Sequence, residues 1–473
     1  MFSEEANPLT GKKQVRSCEI DKNRIGGNAS GVYSMHAQKD RREVLRKDIE
    51  VRPGDGNIAS GSLRRMLETP SVVQDDYAVS YGFYDAGIGK KHQSYMYVTD
   101  DYSDWMGMVL QDKHRSDFSK RPFGTFVLPG SHDAGMFCGL DSDEAARDLV
   151  DRLVQAYSTP GRLAAALAGG AAAAWAAPAA AVLAAVVFLI AKTSGAARRA
   201  LINLAYTQKD DIKTQLALGT RFFDFRPGYN AAFYRSDQKL RHQHGFIPGY
   251  EFEGFLRDVV GFLTAHEKEI VVVQIKNNGF FADDMTPAPE VIDKAIDAAL
   301  KGSSIRRGDV TDLSDTTGGL LAAGKRLIIL KKSDKATDSY SDDAYATDDP
   351  ESVKAQLDKT LHNLAPDAAW TILQLQGTCT NKPLVQLKGG IMDIAAGTRA
   401  LAALALTQSD AASPLLSTKA RFDHVLYQWL MDENVAKSSG PKPVVLLNDF
   451  VDGALTSHAW AMTKQRYDSL GKS

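Results

Sequence analysis

The chain has 473 residues, 44% hydrophobic and 24% charged, a globular composition that excludes a wholly disordered, collagenous or disulfide-scaffold protein. Its 56 basic and 58 acidic residues leave a formal net charge of −2, so no basic excess indicates nucleic-acid binding. Cys18, Cys138 and Cys379 are widely scattered and form neither a zinc-binding spacing nor a disulfide framework, which fits a reducing compartment.

Residues 1–105 are polar and glycine-rich, and they contain one clear structural pattern. Two alternating, aromatic runs at 77–84 and 92–98 flank a glycine-containing turn and predict a β-hairpin. The preceding stretch 52–62 is typical of a loop. We therefore predict a small β-containing accessory region over 1–105.

From residue 106 onward, short apolar runs alternate with helical stretches such as 250–268 and 288–302. The runs are nearly continuous in apolar residues, as expected of strands covered on both faces. They lie at 124–130, 220–226, 269–276, 325–332, 370–376 and 443–449. This alternation predicts a parallel α/β fold. Six runs, with room for two more in 377–442, favour a (β/α)8 TIM-type barrel, regular or irregular, over 106–473.

One segment of this region does not fit a barrel. The chain carries no charge from residue 163 to residue 191, longer than the about 20 residues that cross a bilayer. A glycine pair at 169–170 and Pro178 interrupt it. The segment is an alanine-rich helix pair in the core, a hydrophobic hairpin that dips into a membrane, or a transmembrane span. For the hairpin, Trp175 and Phe188 are the expected membrane contacts.

Polar residues follow the first apolar run. Ser131, His132 and Asp133 stand where it ends, which in an α/β barrel is the end that carries active sites. Three consecutive side chains cannot line up as nucleophile, base and orienting acid, so they are not a serine-hydrolase triad. His132 alone is either a loop histidine or a functional group.

In the second run, strand alternation places Asp224 and Arg226 on the face that points into the barrel. Opposite charges there are costly unless they are paired or functional. They form either a structural ion pair or, since a guanidinium suits an anionic phosphate, part of a phosphate site.

Further candidates lie at the ends of later segments. His242 and His244 share a face if extended, and with Asp224 as their one acidic companion they suit acid–base work better than metal binding. Lys276 ends the third run. Asp449 closes the last run, where a buried carboxylate needs a partner such as a histidine across the barrel mouth.

These fragments occur in a specific order: LPGSHDAG, QLALGTRFFDFRPG, HG at 244–245, EIVVVQIK, GKRLIILKKSD and VVLLNDFVDG. In this order they resemble the phosphatidylinositol-specific phospholipase C X-domain family of the PLC-like phosphodiesterase superfamily, closest to its bacterial, metal-independent type. The resemblance runs from near Trp105 to beyond Asp449, and it leaves out 1–105 and the uncharged segment.

The resemblance implies a catalytic role for five residues. His132 matches the general base that deprotonates the attacking headgroup hydroxyl, and Asp449 matches the carboxylate that orients this base. Arg226 matches the cation that faces the phosphate. His244 matches the general acid for the leaving lipid oxygen, and Asp133 matches the carboxylate that supports this acid.

The resemblance also implies a substrate-binding set and no cofactor. Asp224 matches a neighbour in the phosphate site, while Lys276 and Lys332 match basic contacts to the headgroup or phosphate. The calcium-dependent branch offers two acidic metal ligands on the second strand. Arg226 replaces one of them here, so we expect no metal.

We therefore expect a phosphodiesterase that cleaves the headgroup of a membrane phospholipid, with phosphatidylinositol as the first candidate, by a cyclising attack. The family's acidic and aromatic headgroup contacts are not evident at 372–380. The alternatives are a metal-dependent glycerophosphodiesterase or sphingomyelinase D-like enzyme, and a non-catalytic membrane-binding or toxin protein on a degenerate barrel.

The expected partners are the phospholipid and the bilayer surface, contacted through 163–191, and no nucleic acid. The first residues lack the apolar stretch of a secretory signal. We expect a cytoplasmic protein, or one exported by a route independent of a signal peptide, with peripheral membrane association.

Overall fold

The computed structural model describes most of the chain outside the uncharged segment. The described residues are 31–39, 41–52, 57–86, 92–139, 144, 148, 205–230, 237–245, 247–277, 280, 283–378, 414–432, 435 and 442–470. Segment 163–191, with the predicted membrane contacts Trp175 and Phe188, lies outside them. Among the described helices, none is both long and apolar enough to cross a bilayer.

The N-terminal region forms two antiparallel three-stranded sheets. Their strands are β1 (Gly31–Lys39), β2 (Arg42–Arg52), β3 (Asn57–Gly61), β4 (Val72–Gln74), β5 (Tyr77–Tyr84) and β6 (Gln93–Thr99). The predicted hairpin is confirmed, because β5 pairs with β6 from Ala78 opposite Thr99 to Tyr84 opposite Gln93.

The prediction of a loop over 52–62 is wrong. Residues Asn57–Gly61 form β3, which pairs with the end of β2 and places Ile58 opposite Val51. This strand is polar and rich in small residues, so its own sequence carries no strand periodicity. Pairing with the neighbouring strand outweighs its weak propensity.

The second N-terminal sheet packs against the C-terminal region. Tyr84 and Tyr95 share a buried apolar cluster with Tyr206 and Phe450. The other face of β5 packs on β1 and β2, so every residue of β5 is buried. The domain boundary between residues 105 and 106 stays a prediction.

Eight parallel strands form the sheet of the C-terminal region. They are β7 (Val127–Ser131), β8 (Phe222–Phe225), β12 (Val271–Ile275), β13 (Arg306–Gly308), β14 (Lys325–Leu330), β15 (Ala336–Asp338), β16 (Trp370–Gln374) and β17 (Val444–Asn448). Their order in the sheet is β13, β14, β12, β8, β7, β17, β16, β15. The last strand therefore pairs with the first, as in a barrel, and Val444 lies opposite Val127.

The predicted α/β barrel is confirmed in an irregular form. All six predicted apolar runs are strands, while β13 and β15, the two outer strands of the sheet, have three residues each and lie outside 377–442. Within the described residues β13 and β15 are not paired with each other, so the ring is open at this seam.

Helices cover the outside of the ring. They are α1 (Trp105–Leu110), α2 (Ile212–Ala217), α3 (Phe252–Ala265), α4 (Pro289–Leu300), α5 (Thr317–Ala323), α6 (Asp342–Tyr345), α7 (Pro350–His362), α8 (Thr418–Trp429) and α9 (Gly453–Leu470). The helical stretches predicted at 250–268 and 288–302 are confirmed as α3 and α4.

The strands are apolar on both faces because both faces are buried. Phe222 and Val272 pack in the cluster inside the ring, while Phe223 and Val273 pack in the cluster that contains α3. This alternation directs Asp224, two residues after Phe222, to the inside, as the sequence predicts.

A small antiparallel sheet lies beside the carboxyl ends of the barrel strands. It consists of β9 (Pro227–Gly228), β10 (Arg241–His244) and β11 (Ile247–Glu251). The loop after β7 meets β11 at two glycines, where the Tyr250 amide donates to the Gly135 carbonyl at 2.9 Å. A Cβ at Gly249 would lie 2.4 Å from that carbonyl oxygen, so only glycine permits this approach.

Candidate active site

Two residues from the first and last strands of the ring form a buried pair. Nδ1 of His132 lies 2.8 Å from Oδ1 of Asp449. The carboxylate accepts, so Nδ1 carries the proton and Nε2 of the neutral ring keeps its lone pair toward the site. Burial alone would lower the pKa of His132, but Asp133 and Asp449 outweigh it and raise that pKa. The sequence-predicted base and orienting carboxylate therefore lie together.

The backbone around this pair is fixed from several sides. The His132 amide donates to the Asn448 carbonyl at 3.1 Å. Nε2 of Gln208 donates to the carbonyls of His132 and Asn448, at 2.9 and 3.1 Å. Asp133 and Phe450 have positive φ angles of 44° and 51°, which are unfavourable for residues with a side chain. The structure thus stores local backbone strain on both sides of the site.

Arg226 lies between two carboxylates. Its Nε is 2.7 Å from Oδ1 of Asp133, and its Nη2 is 3.6 Å from Oδ2 of Asp224. The same Nη2 is 3.4 Å from Nε2 of His132. Burial would raise the pKa of Asp133, but Arg226 and the nearby histidines hold it well below its usual range. The guanidinium therefore stands beside the nitrogen that would act as the base.

Of the two predicted lysines, the structure brings one to the site. Nζ of Lys276 donates to Oδ2 of Asp224 at 3.2 Å. Lys332 is exposed in the loop after β14. Among the described residues, no hydrogen bond or ion pair joins Lys332 to the site, so its role in headgroup binding stays a prediction.

His242 takes a supporting position that the sequence did not assign. The Arg226 amide donates to its Nδ1 at 3.2 Å, so its proton is on Nε2, which lies 3.2 Å from Oδ1 of Asp133. Burial lowers the pKa of His242, which favours this neutral form. The ring orients Asp133 without reaching the site surface, since His242 is fully buried. In the sequence, the two-residue spacing of the histidines in RHQH was the feature that indicated a role for His242.

His244 is the accessible member of the histidine pair. A third of its side chain is exposed, and its Nε2 lies 3.8 Å from Oδ2 of Asp133. Burial, with help from Arg226, lowers the pKa of His244 to about 4, so the free protein holds it neutral. Oδ2 of Asp133 is buried and, in the described part of the chain, accepts no hydrogen bond. It can therefore receive a donor once His244 is protonated.

Three residues of the site come close enough to share a metal ion. Ligand atoms of His132, Asp133 and Asp224 lie within 4.8 Å of one another. However, Arg226 and Lys276 already face the two carboxylates. A divalent cation would add its charge to these two cations, so the donor set fits a metal poorly.

An aromatic residue that the sequence analysis did not single out lies near the cation. Tyr340 follows β15, is 42% exposed and lies within electrostatic range of Arg226, whose positive charge favours ionisation of the Tyr340 hydroxyl. Its hydroxyl donates to Asp342 at 2.9 Å, and burial together with Asp342 raises the pKa of Tyr340 to about 12. Its position after a three-residue strand gave no pattern that could have predicted it.

Comparison with known proteins supports the resemblance seen in the motifs. The chain is 25% identical over 178 residues to PI-PLC X domain-containing protein 1 from Danio rerio. The match covers 38% of this chain and 45% of that relative, so it spans less than half of the relative's length. No family model matches the chain. The predicted resemblance to the phosphatidylinositol-specific phospholipase C X-domain family is confirmed.

Solved structures give more distant likenesses. A structure of phosphatidylinositol-specific phospholipase C from Staphylococcus aureus has a TM-score of 0.38 at 15% identity, covering 76% of this chain and 97% of its own. The enzyme of the same name from Listeria monocytogenes has a TM-score of 0.38 at 11% identity, covering 76% and 98%. These likenesses are too distant to bear on the site.

Proposed function

We propose that this protein is a phosphodiesterase that cleaves the headgroup phosphodiester of a membrane phospholipid by acid–base catalysis, without a metal. The observation that carries the proposal is the placement of two histidines around one carboxylate and one guanidinium. Nε2 of His132 and Nε2 of His244 both lie within 3.8 Å of Oδ2 of Asp133, and Arg226 contacts the same carboxyl group.

The proposed reaction is a cyclising attack. Nε2 of neutral His132 accepts the proton of a headgroup hydroxyl next to the phosphate, and that oxygen forms a bond to phosphorus. The bond from phosphorus to the lipid oxygen breaks, and protonated His244 gives its proton to the leaving oxygen. The products are diacylglycerol and a cyclic headgroup phosphate. Each histidine contributes about 10²–10⁴-fold, as is typical of general acids and bases.

Arg226 is the proposed contact to the nonbridging phosphate oxygens. Its side chain is 18% exposed, and Nη2 lies beside the base nitrogen, so an oxygen bound there is close to the attacking atom. A guanidinium presents two parallel donors, which suits the two nonbridging oxygens of a phosphodiester. Lys276 adds a second positive charge on the same side, beyond Asp224.

The proposed headgroup is inositol. A cyclising attack needs a hydroxyl on the carbon next to the phosphate ester, which inositol and glycerol headgroups have and choline and ethanolamine headgroups lack. The exposed ring of Tyr340, within electrostatic range of Arg226, offers a flat apolar surface, which suits the face of a cyclic polyol.

The primary test uses vesicles that contain phosphatidylinositol, with phosphatidylcholine as the control lipid, with and without EDTA. We expect cyclic inositol phosphate and diacylglycerol in both conditions from the first lipid and no product from the second. His132→Ala and His244→Ala should each lose at least about 99% of the rate. Lys332→Ala tests separately whether Lys332 contacts the headgroup.

The same assay separates the alternatives. Activity that EDTA abolishes would favour a metal-dependent glycerophosphodiesterase or sphingomyelinase D-like enzyme. Vesicle binding without any cleavage of phospholipid would favour a non-catalytic membrane-binding protein. Either result would overturn the proposal.

We also propose that the uncharged segment 163–191 contacts the bilayer. The support is its sequence and its place between the strands that carry His132 and Arg226, where barrel loops surround the active site. Replacing it with a short glycine–serine linker should abolish vesicle binding and keep hydrolysis of a soluble short-chain substrate. Unchanged vesicle binding by the folded variant would contradict this proposal.

A further inference from the structure

Asn448 connects the catalytic pair to the interior of the protein. Its Oδ1 accepts from the Asp449 amide at 3.0 Å. Its Nδ2 donates to Oδ1 of Asp423 at 3.3 Å and lies 3.4 Å from the hydroxyl of Tyr427. Both atoms of this buried amide are therefore used, and its orientation sets the backbone from which Asp449 reaches His132.

Asp423 is held in turn by the N-terminal region. The hydroxyl of Tyr97, on β6, donates to Oδ2 of Asp423 at 2.9 Å. Lys419 pairs with the same oxygen at 2.9 Å and also with Asp452. Asn448, Asp423 and Lys419 are each no more than 3% exposed. A buried carboxylate of this kind is costly to disturb, so its donors determine where it points.

The Lys419 ammonium lies among three tyrosine rings. It is 5.6 Å from the centre of the Tyr95 ring, 5.8 Å from that of Tyr97 and 5.7 Å from that of Tyr427. Tyr95 and Tyr97 both belong to β6. The two differ in one respect that matters for a test: within the described residues the hydroxyl of Tyr95 has no hydrogen-bond partner, whereas that of Tyr97 bonds Asp423.

A second connection runs from the N-terminal region to the same place. Asp210 accepts from the amide and the hydroxyl of Ser71, both at 2.7 Å. Lys209 donates to the Thr69 carbonyl at 2.5 Å. These two residues follow Gln208, which bonds the carbonyl of His132. The N-terminal region thus supports both members of the catalytic pair.

We infer that the N-terminal β region is part of the catalytic apparatus, and that Tyr97 is a positioning residue that acts on His132 through Asp423, Asn448 and Asp449. The inference rests on the proposed function of His132 as the base. Tyr97 itself does not reach the site: its hydroxyl is directed to α8, on the outer side of the ring. Its effect is to fix Asp423, so that Asn448 holds Asp449 in line with Nδ1 of His132.

The test compares two single-atom deletions on one strand of the full chain, Tyr97→Phe and Tyr95→Phe. Both remove one hydroxyl and keep the ring beside Lys419. We expect Tyr97→Phe to lower kcat about tenfold with KM unchanged, the size of effect that follows from the loss of one charge-assisted hydrogen bond. Tyr95→Phe should leave kcat unchanged.

A second readout does not depend on activity. The Nδ1 proton of His132, bonded to Asp449, can be followed by NMR in both variants, together with the pKa of the ring. Asp133, Asp449 and Arg226, the charged groups nearest His132, are unaltered in both, so a shift confined to Tyr97→Phe reports a displaced Asp449.

The outcomes are distinct. Equal kcat values and equal His132 signals in the two variants would overturn the inference, as would a loss of thermal stability in Tyr97→Phe with no change in either readout. If the wild-type protein cleaves no phospholipid, the proposed function fails, and the NMR comparison alone decides whether Tyr97 positions His132.

Discussion

Asp449→Asn tests the base most directly, because the change keeps the shape of the side chain and removes only its charge. At an effective dielectric constant of about 20, two unit charges 4 Å apart interact by about 4 kcal/mol, which scales to about 6 kcal/mol at the 2.8 Å that separates Nδ1 of His132 from Oδ1 of Asp449. Burial of the carboxylate, which raises its own pKa, offsets part of this energy.

The interaction energy that remains after this offset is similar in size to the contribution of a general base. We expect kcat/KM to fall about 10²–10⁴-fold, equivalent to about 3–5 kcal/mol, because the amide can donate to Nδ1 and place the ring proton on Nε2, where it blocks the base. The assay is the initial rate of cyclic inositol phosphate release. The pKa of His132 should also fall, since one of the two charges that raise it is gone.

Glu269→Gln is the matched control. Its carboxylate is equally buried and pairs with Nε of Arg221 at 2.7 Å, just before β8 and β12 begin and so away from the site. This variant should lose stability and keep kcat/KM, measured at a temperature where it is folded. If folded Asp449→Asn keeps more than about a tenth of the wild-type kcat/KM, the assignment of His132 as the base is refuted.

Three further predictions concern the other groups of the site. Arg226→Lys should lower kcat/KM at least about 100-fold with the fold intact, because an ammonium is a point charge that lacks the two parallel donors of the planar guanidinium; a fully active variant would exclude the phosphate contact. The pH profile of kcat/KM should be bell-shaped. The reactive form, with His132 neutral and His244 protonated, holds the same single proton as the form with that proton on His132, so the acid limb lies at about 4, where His244 gains a proton while His132 keeps its own, and the basic limb is set by the raised pKa of His132. The acid limb of kcat should lie higher because bound phosphate raises both pKa values, and an acid limb of kcat/KM near 6 would contradict this. Gly135→Ala should lower the free energy of unfolding by about 1–3 kcal/mol, since the new Cβ would lie 2.5 Å from Cβ of His242, and chemical denaturation that shows no loss would refute the close packing.

The direction of the expected pKa shifts follows from the charges of the site. Asp133, Asp224 and Asp449 carry three negative charges, and Arg226 and Lys276 carry two positive charges. With both histidines neutral the site therefore has a net charge of −1, and its carboxylates raise the pKa of His132. A bound phosphodiester adds one negative charge, which raises the pKa values of both histidines further.

The sequence predicted the ring and the inward placement of two charged residues because both depend on local patterns. Six of the eight barrel strands are apolar runs, and Asp224 and Arg226 point inward by simple alternation from Phe222. The same reasoning failed at β3, which is a strand only because β2 pairs with it. The short strand β15 was missed for the same reason, and Tyr340 with it.

The supporting network could not have been predicted from the sequence. Tyr97 and Asp423 are 326 positions apart and lie in none of the motifs that carry the resemblance. Asn448 lies in VVLLNDFVDG, but that motif does not indicate a contact with Asp423. Their contact depends on how the N-terminal sheet packs on α8, which no periodicity encodes. The spacing of His242 from His244 in the sequence pointed to a role for His242. Its tautomer could be assigned only from the structure, because it depends on the position of the Arg226 amide.

The pairing of the first and last barrel strands has a consequence for the synthesis and folding of the chain. His132 and Asp449 are 317 positions apart, so the base has no partner until nearly the whole sequence has been synthesised and β17 has joined β7. Contacts between such distant positions form late in folding, because closing a long loop costs entropy before the contact stabilises the fold. A nascent or truncated chain that ends before β17 therefore has the histidines and the arginine, but His132 has no carboxylate to orient it.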